Sequence, residues 1–89
     1  MNVDYMRGIE DGIPKQTMDG LRAYIEDSRN PGGFLTSVLE NNLINAVCRA
    51  DRKNSEALKE IVKWVYNCAP GKCWGSKDKV KAWLKREAA

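Results

Sequence analysis

Apolar residues recur every three or four positions along most of the chain, which is the spacing of an amphipathic helix. Four segments show this spacing, and the predicted helices span residues 17–29, 33–50, 55–68 and 77–87. No segment alternates apolar and polar residues with a period of two, so no strand is predicted. The pattern therefore predicts an all-α fold, a small single-domain bundle of three to four helices with short connections.

Capping and turn residues set the expected helix bounds. The candidate N-caps are Thr17 for the first predicted helix, Asn54 or Ser55 for the third and Ser76 for the fourth. Pro31 and Pro70 limit the first and third helices, because the residue before a proline is pushed out of the helical region. Residues 1–15 have some helical spacing but contain two glycines, so a short helix and an ordered arm both stay open.

The second predicted helix has the widest apolar face and is expected at the centre of the core. Its apolar positions are Leu35, Val38, Leu39, Leu43, Ala46 and Val47. Its other side carries Asn41, Asn42 and Asn45, which have poor helix propensity and either serve a specific role or are simply solvated. Among the tryptophans, Trp83 is expected in the core and Trp64 half-exposed. Trp74 is either a plug at the end of the bundle or an exposed anchor.

The composition excludes several function classes. Eighty-nine residues suit one domain, and no apolar run approaches the ~20 residues of a membrane span. The chain contains no histidine, which removes the commonest general base and most zinc sites. Its three cysteines, an odd number, predict reduced thiols in a cytoplasm. Cys73 is the one plausible nucleophile, and no activating base is visible, so we expect neither an enzyme nor a metal or cofactor.

Positive charge is concentrated near the end of the sequence. Between residues 72 and 86 there are six basic residues and a single acid, Asp78. The six basic residues are Lys72, Lys77, Lys79, Lys81, Lys85 and Arg86. They form either a solvated helix face or a surface that binds nucleic acid.

Four segments of the sequence carry a family resemblance. They read "PGGFLTSVLENNL", "AVCRADRKN", "WVYNCAPGKCWGS" and "KVKAWL". In order and spacing they resemble a family of small uncharacterised proteins of tailed phages and prophages, with the pattern GGFLTxVLxNxL, RADxxN, YNxxP and CWGS. The resemblance covers about two-thirds of the chain, and Asn42 stands where many relatives have aspartate. It implies a phage accessory protein in the cytoplasm of a bacterial host, and no established activity.

The candidate ligand-binding residues are polar positions and glycines that the resemblance selects, together with two aromatic residues from the same segments. They are Gly32, Gly33, Phe34, Thr36, Asn41, Arg49, Asp51, Asn54, Trp74 and Ser76. Several lie at predicted helix ends, where capping alone explains them. The functional alternative is that the free N–H groups after Pro31 face a phosphate-bearing ligand, although the spacing of a P-loop is absent.

The sequence therefore favours a non-enzymatic, phage-type binding protein. It would serve counter-defence or host modulation by binding a host or defence protein, or by sequestering a nucleotide-type ligand. The alternative is a nucleic-acid-binding accessory protein that uses the basic C-terminal helix. A homo-oligomer also stays open, because a wide apolar face suits a dimer. No membrane partner is expected.

Overall fold

A computed structural model describes residues 3–86, which form seven α-helices and no strand. The helices are α1 Tyr5–Glu10, α2 Lys15–Asp27, α3 Gly33–Leu39, α4 Leu43–Arg49, α5 Arg52–Glu56, α6 Leu58–Cys68 and α7 Lys77–Lys85. A single 3-10 turn, Gly71–Cys73, precedes α7. The all-α prediction is confirmed, and the expected count of three to four helices is wrong. The predicted end of the last helix, at residue 87, lies outside the described residues.

The long helix predicted over residues 33–50 is divided into α3 and α4, which pack against each other. Asn41 has a left-handed backbone, with φ of 63°, which asparagine tolerates better than most residues. Asn42 is the N-cap of α4, and its side-chain oxygen accepts a hydrogen bond from the Asn45 N–H at 3.2 Å. Two of the three unexplained asparagines therefore end one helix and start the next.

Two other predicted boundaries are also wrong. The helix expected over residues 55–68 begins only at Leu58, and a separate short helix, α5, precedes it. Asp51 caps α5 by accepting a hydrogen bond from the Asn54 N–H at 2.8 Å. Thr17 is not an N-cap, since α2 begins at Lys15 after Pro14 and buries the Thr17 side chain. The predicted Ser76 cap on α7 is confirmed, with its hydroxyl accepting from the Lys79 N–H at 3.2 Å.

The N-terminal segment forms a helix that packs against α2 and α6. Gly8 makes this approach close, because a Cβ at that position would lie 2.5 Å from the Sδ of Met18. The ring of Tyr5 stacks on Trp64, and the Trp64 indole N–H donates to the backbone carbonyl of Asp4 at 2.9 Å. Trp64, expected half-exposed, is therefore buried at 2% exposure.

The core lies between α2 and the C-terminal half of the chain. Leu21, Tyr24 and Ile25 of α2 are almost completely buried. The Tyr24 hydroxyl donates to the carbonyl of Cys73 at 2.7 Å, and the Tyr24 carbonyl accepts from the indole of Trp83 at 3.0 Å. Trp83 is buried, as predicted. These two bonds satisfy polar groups that would otherwise be buried without partners, and they fix the 3-10 turn and α7 onto α2.

The two neighbouring glycines in the turn before α3 should differ in how well they tolerate substitution by alanine. Gly32 has a φ of 90°, so Gly32→Ala should lower the free energy of unfolding by about 1 kcal/mol. At Gly33 an added Cβ would lie 2.7 Å from the Nη1 of Arg49, the flexible end of a long side chain, which can move aside. Gly33→Ala should therefore change stability by less than about 0.5 kcal/mol. Urea unfolding of both variants measures the difference, and equal losses would contradict this account of the turn.

Candidate functional site

Five of the predicted ligand-binding residues line one cavity of about 290 Å³ beside the start of α3, here called the α3–α5 cradle. They are Gly32, Gly33, Phe34, Asp51 and Asn54. Arg49 reaches the same corner, since its guanidinium packs against Gly33. Thr36 belongs to α3 but does not line the cradle. Half of the ten candidate residues, drawn from segments about 20 positions apart, therefore meet at one cavity.

The sequence missed three residues that bring polar side chains to the cradle: Gln16, Thr17 and Lys53. The hydroxyl of Thr17 donates to the side-chain oxygen of Asn54, which joins α2 to α5. The sequence pattern suggested a local role for Thr17, as the N-cap of the first predicted helix. No signal in a single sequence pairs it with a residue 37 positions away.

Contacts within the chain account for three of the five polar side chains that line the α3–α5 cradle. Thr17 and Asn54 hydrogen-bond to each other, and the Asp51 carboxylate caps α5. The Gly32 N–H donates to the side-chain oxygen of Asn30 at 2.9 Å. The α3 helix has only seven residues, and Arg49 already lies at its first turn. The geometry is that of a hydrogen-bonded corner between helices, and we assign it no ligand.

Two other predicted residues, Asn41 and Trp74, lie at a different cavity, here called the α4–α6 groove. This groove has a volume of about 350 Å³. Its apolar lining comprises Val38, Leu43, Ala46, Leu58, Val62, Val65, Tyr66 and Trp74. The indole of Trp74 is half-buried and packs edge-on against the Tyr66 ring, with the ring centroids 5.9 Å apart. Trp74 thus lines a groove, a position between the two alternatives that the sequence left open.

An exposed apolar surface surrounds this groove. The structure leaves seven large apolar side chains of residues 3–86 exposed, and five of them belong to α4 or α6. These five, here called the α4–α6 face, are Leu43 (68% exposed), Ile44 (75%), Val47 (51%), Val62 (46%) and Tyr66 (71%). At ~200 Å² for a fully exposed large side chain, the face presents about 600 Å² of side-chain surface. This is the upper end of the ~300–600 Å² patch that a monomeric protein ordinarily shows.

The composition of the α4–α6 face conflicts with the core that the sequence predicted. Leu43 and Val47 were assigned to the central apolar stripe. Both are exposed because the break at Asn41 and Asn42 redirects α4 along the surface. Only Ala46 of α4 is buried.

The charges near the α4–α6 groove are few. Lys63 is the only charged residue that lines it. The basic residues near the C-terminal end form a separate surface on α7, where Lys77, Lys81 and Lys85 are exposed and recur every fourth position. Such residues lie on one side of a helix. Lys79 instead donates to the Gly71 carbonyl at 3.3 Å, and Arg86 stacks on Trp83.

The cysteines differ in access to solvent. Cys48 on α4 is exposed, Cys68 is half-buried and Cys73 is fully buried. Burial raises the pKa of Cys73 to about 11, and it also raises the pKa of Cys68. Cys73 is therefore a neutral thiol at physiological pH, shielded from substrates. Within residues 3–86, no three Cys, Asp or Glu side chains gather in an arrangement that could hold a metal ion.

Comparisons of the chain with protein-family models, curated proteins and solved structures give no match. The phage-type resemblance therefore stays a prediction from the sequence. No helix within the described part of the chain combines the length and apolar character needed to cross a membrane.

The cysteine environments predict a selective alkylation pattern. At pH 8, iodoacetamide should modify native protein rapidly at Cys48 alone, because Cys73 is both inaccessible and protonated. Intact-mass and peptide analysis should show one fast adduct per chain, and three in guanidinium chloride. Rapid labelling of Cys73 in the native protein would contradict its burial and reopen a nucleophilic role.

Proposed function

We propose that this protein is a non-enzymatic binding protein that docks a partner protein on its α4–α6 face. The observation that carries the proposal is the combination of about 600 Å² of exposed apolar side chains with a groove of about 350 Å³. An apolar patch at the upper end of the monomer range is often functional, and protein–protein contacts are the commonest use of such surface. The phage-type resemblance supports a partner from a bacterial host, such as a defence protein in the host cytoplasm.

Energetics favour this use of the surface. Burying a large apolar side chain contributes ~1.5–3 kcal/mol relative to leaving it in water. At the groove, Leu43 and Tyr66 are mostly exposed to water in the isolated chain, and Val62 is about half exposed. A partner segment with an apolar side chain for the groove would gain from all three. An acidic residue next to it would pair with Lys63, the groove's single charge.

The α3–α5 cradle supports a nucleotide-type ligand less well. Its threonine and asparagine already hydrogen-bond to each other, and its aspartate caps a helix. A phosphate would have to displace these bonds or bind Arg49 and Lys53 alone. The lining of the α4–α6 groove is mostly apolar, so a partner side chain could enter it without displacing such hydrogen bonds. We therefore favour the protein partner.

Charge placed in the groove should abolish partner capture. Immobilised wild-type protein, Val62→Glu and Ala82→Glu would be exposed to a bacterial extract, and retained proteins identified by mass spectrometry. A partner should be retained at least tenfold less by Val62→Glu, because a glutamate there must be desolvated on docking. The matched control Ala82→Glu places the same charge on the exposed surface of α7 and should retain it fully.

Circular dichroism would establish that both variants fold. The identified protein would then be titrated against the purified chain. If no retained protein distinguishes Val62→Glu from Ala82→Glu, the proposal of partner docking on this face is wrong.

The lysine row on α7 favours nucleic-acid binding as a second candidate function. Like charges at i and i+4 destabilise a helix by ~0.2–0.5 kcal/mol per pair. Lys77, Lys81 and Lys85 form two such pairs, and none of them makes an ion pair with another residue between positions 3 and 86. A polyanion would relieve this repulsion and release counterions on binding.

Salt dependence tests this second candidate. Binding to a fluorescent 30-mer duplex or single strand at 50 mM salt should weaken steeply as salt increases. Replacing Lys77, Lys81 and Lys85 with glutamine should reduce the slope of log K against log salt by about 3, one per phosphate contact. A control with glutamine at Lys15, Lys53 and Lys59 changes the net charge equally and should retain most of the slope. Equal effects of the two triple variants, or no binding at 50 mM salt, would eliminate the α7 site.

A further inference from the structure

The α4–α6 face carries a ridge and a groove side by side. Ile44 and Val47 are three positions apart on α4, so they form one exposed row, and neither lines the groove. Leu43, Val62 and Tyr66 line the groove itself. A contact between two identical surfaces about a two-fold axis needs a self-complementary patch. A ridge beside a groove meets this condition, because the ridge of each copy can enter the groove of the other.

We propose that a second copy of this chain covers the α4–α6 face in a two-fold dimer, with the row of Ile44 and Val47 of each copy in the α4–α6 groove of the other. The dimer itself follows from the surface. Its consequence, that self-association masks the partner-binding surface, rests on the proposed function. A partner would then bind by displacing one copy from the other.

The area of the face suits a weak, reversible dimer. About 600 Å² from each copy gives about 1,200 Å² in total, the lower limit of ~1,200–2,000 Å² for specific, stable interfaces. An obligate dimer ordinarily buries more than ~2,000 Å². The expected association is therefore concentration-dependent, which a displaceable contact requires.

Charge does not oppose this contact locally. The sequence of α4, LINAVCR, has a single charged residue, Arg49, at its end. The only charge in the groove is Lys63. Each chain has a formal net charge of +3, so two copies repel weakly at a distance. Salt screens that repulsion, and dimerisation should strengthen as salt increases, opposite to the behaviour of nucleic-acid binding.

Sedimentation equilibrium between about 2 and 200 µM tests the dimer. Wild-type protein should pass from a 10.0 kDa monomer to a species of twice that mass as concentration increases. Ile44→Glu should weaken association at least tenfold, and it should fold normally because Ile44 is 75% exposed in the monomer. The control Ala82→Glu should associate like the wild type. A monomer throughout the range, or association that Ile44→Glu leaves unchanged, would overturn the dimer.

Cysteine cross-linking locates the contact independently. Cys48 is exposed and lies one turn after Ile44 on α4, so it borders the proposed contact and should lie within cross-linking range of the other copy in the dimer. A short bis-maleimide should give a covalent dimer with wild-type protein. The product should disappear in Cys48→Ser and decrease in Ile44→Glu. A cross-linked dimer that Ile44→Glu does not reduce would place the contact elsewhere and overturn the arrangement.

The two proposals fail separately. A monomeric wild type that still captures a partner through Val62 overturns the dimer and leaves partner docking intact. A dimer sensitive to Ile44→Glu, with no partner lost in Val62→Glu, overturns partner docking alone. If both hold, the fraction of wild-type chains that capture the partner should decrease as protein concentration passes through the dimerisation range, because the dimer covers the groove.

Discussion

The left-handed backbone at Asn41 and the side-chain cap of Asn42 prevent α3 from continuing into α4. Without this break, Leu43 and Val47 would extend the apolar stripe that Leu35 and Leu39 begin. With it, α3 contributes to the core and α4 carries its apolar residues along the surface. The exposure of Leu43, Ile44 and Val47, the α4 part of the α4–α6 face, follows from this change of direction.

The break is held in place by bonds to the C-terminal half of the chain. The carbonyl of Leu39, at the end of α3, accepts a hydrogen bond from the Gly75 N–H at 2.7 Å. The same loop is fixed to α2 by the bond between the Tyr24 hydroxyl and the Cys73 carbonyl. A surface held on both sides in this way does not have to be ordered on binding, which lowers the entropic cost of association.

Local signals in the sequence identify features that depend on a few neighbouring residues. The Ser76 cap, the end of α6 before Pro70 and the apolar position of Trp83 belong to this class, since each is decided within about one helical turn. The sequence also groups part of the α3–α5 cradle. It does not predict the Asn41 break, because asparagine is only mildly unfavourable within a helix and the apolar period continues through it. Nor does it predict the burial of Trp64 or the Thr17–Asn54 bond, which depend on helices far apart in sequence.

The bond between the Trp64 indole and the Asp4 carbonyl joins positions separated by 60 residues, and the bond between Trp83 and Tyr24 joins positions separated by 59. α6 must therefore be synthesised before the Trp64 indole can bond to the segment preceding α1, and α7 before the Tyr24 carbonyl of α2 is satisfied. The N-terminal half already contains packed helix pairs, α1 with α2 and α3 with α4. Its buried polar groups, however, are satisfied only once α6 and α7 are present, so the finished core depends on contacts between the two halves.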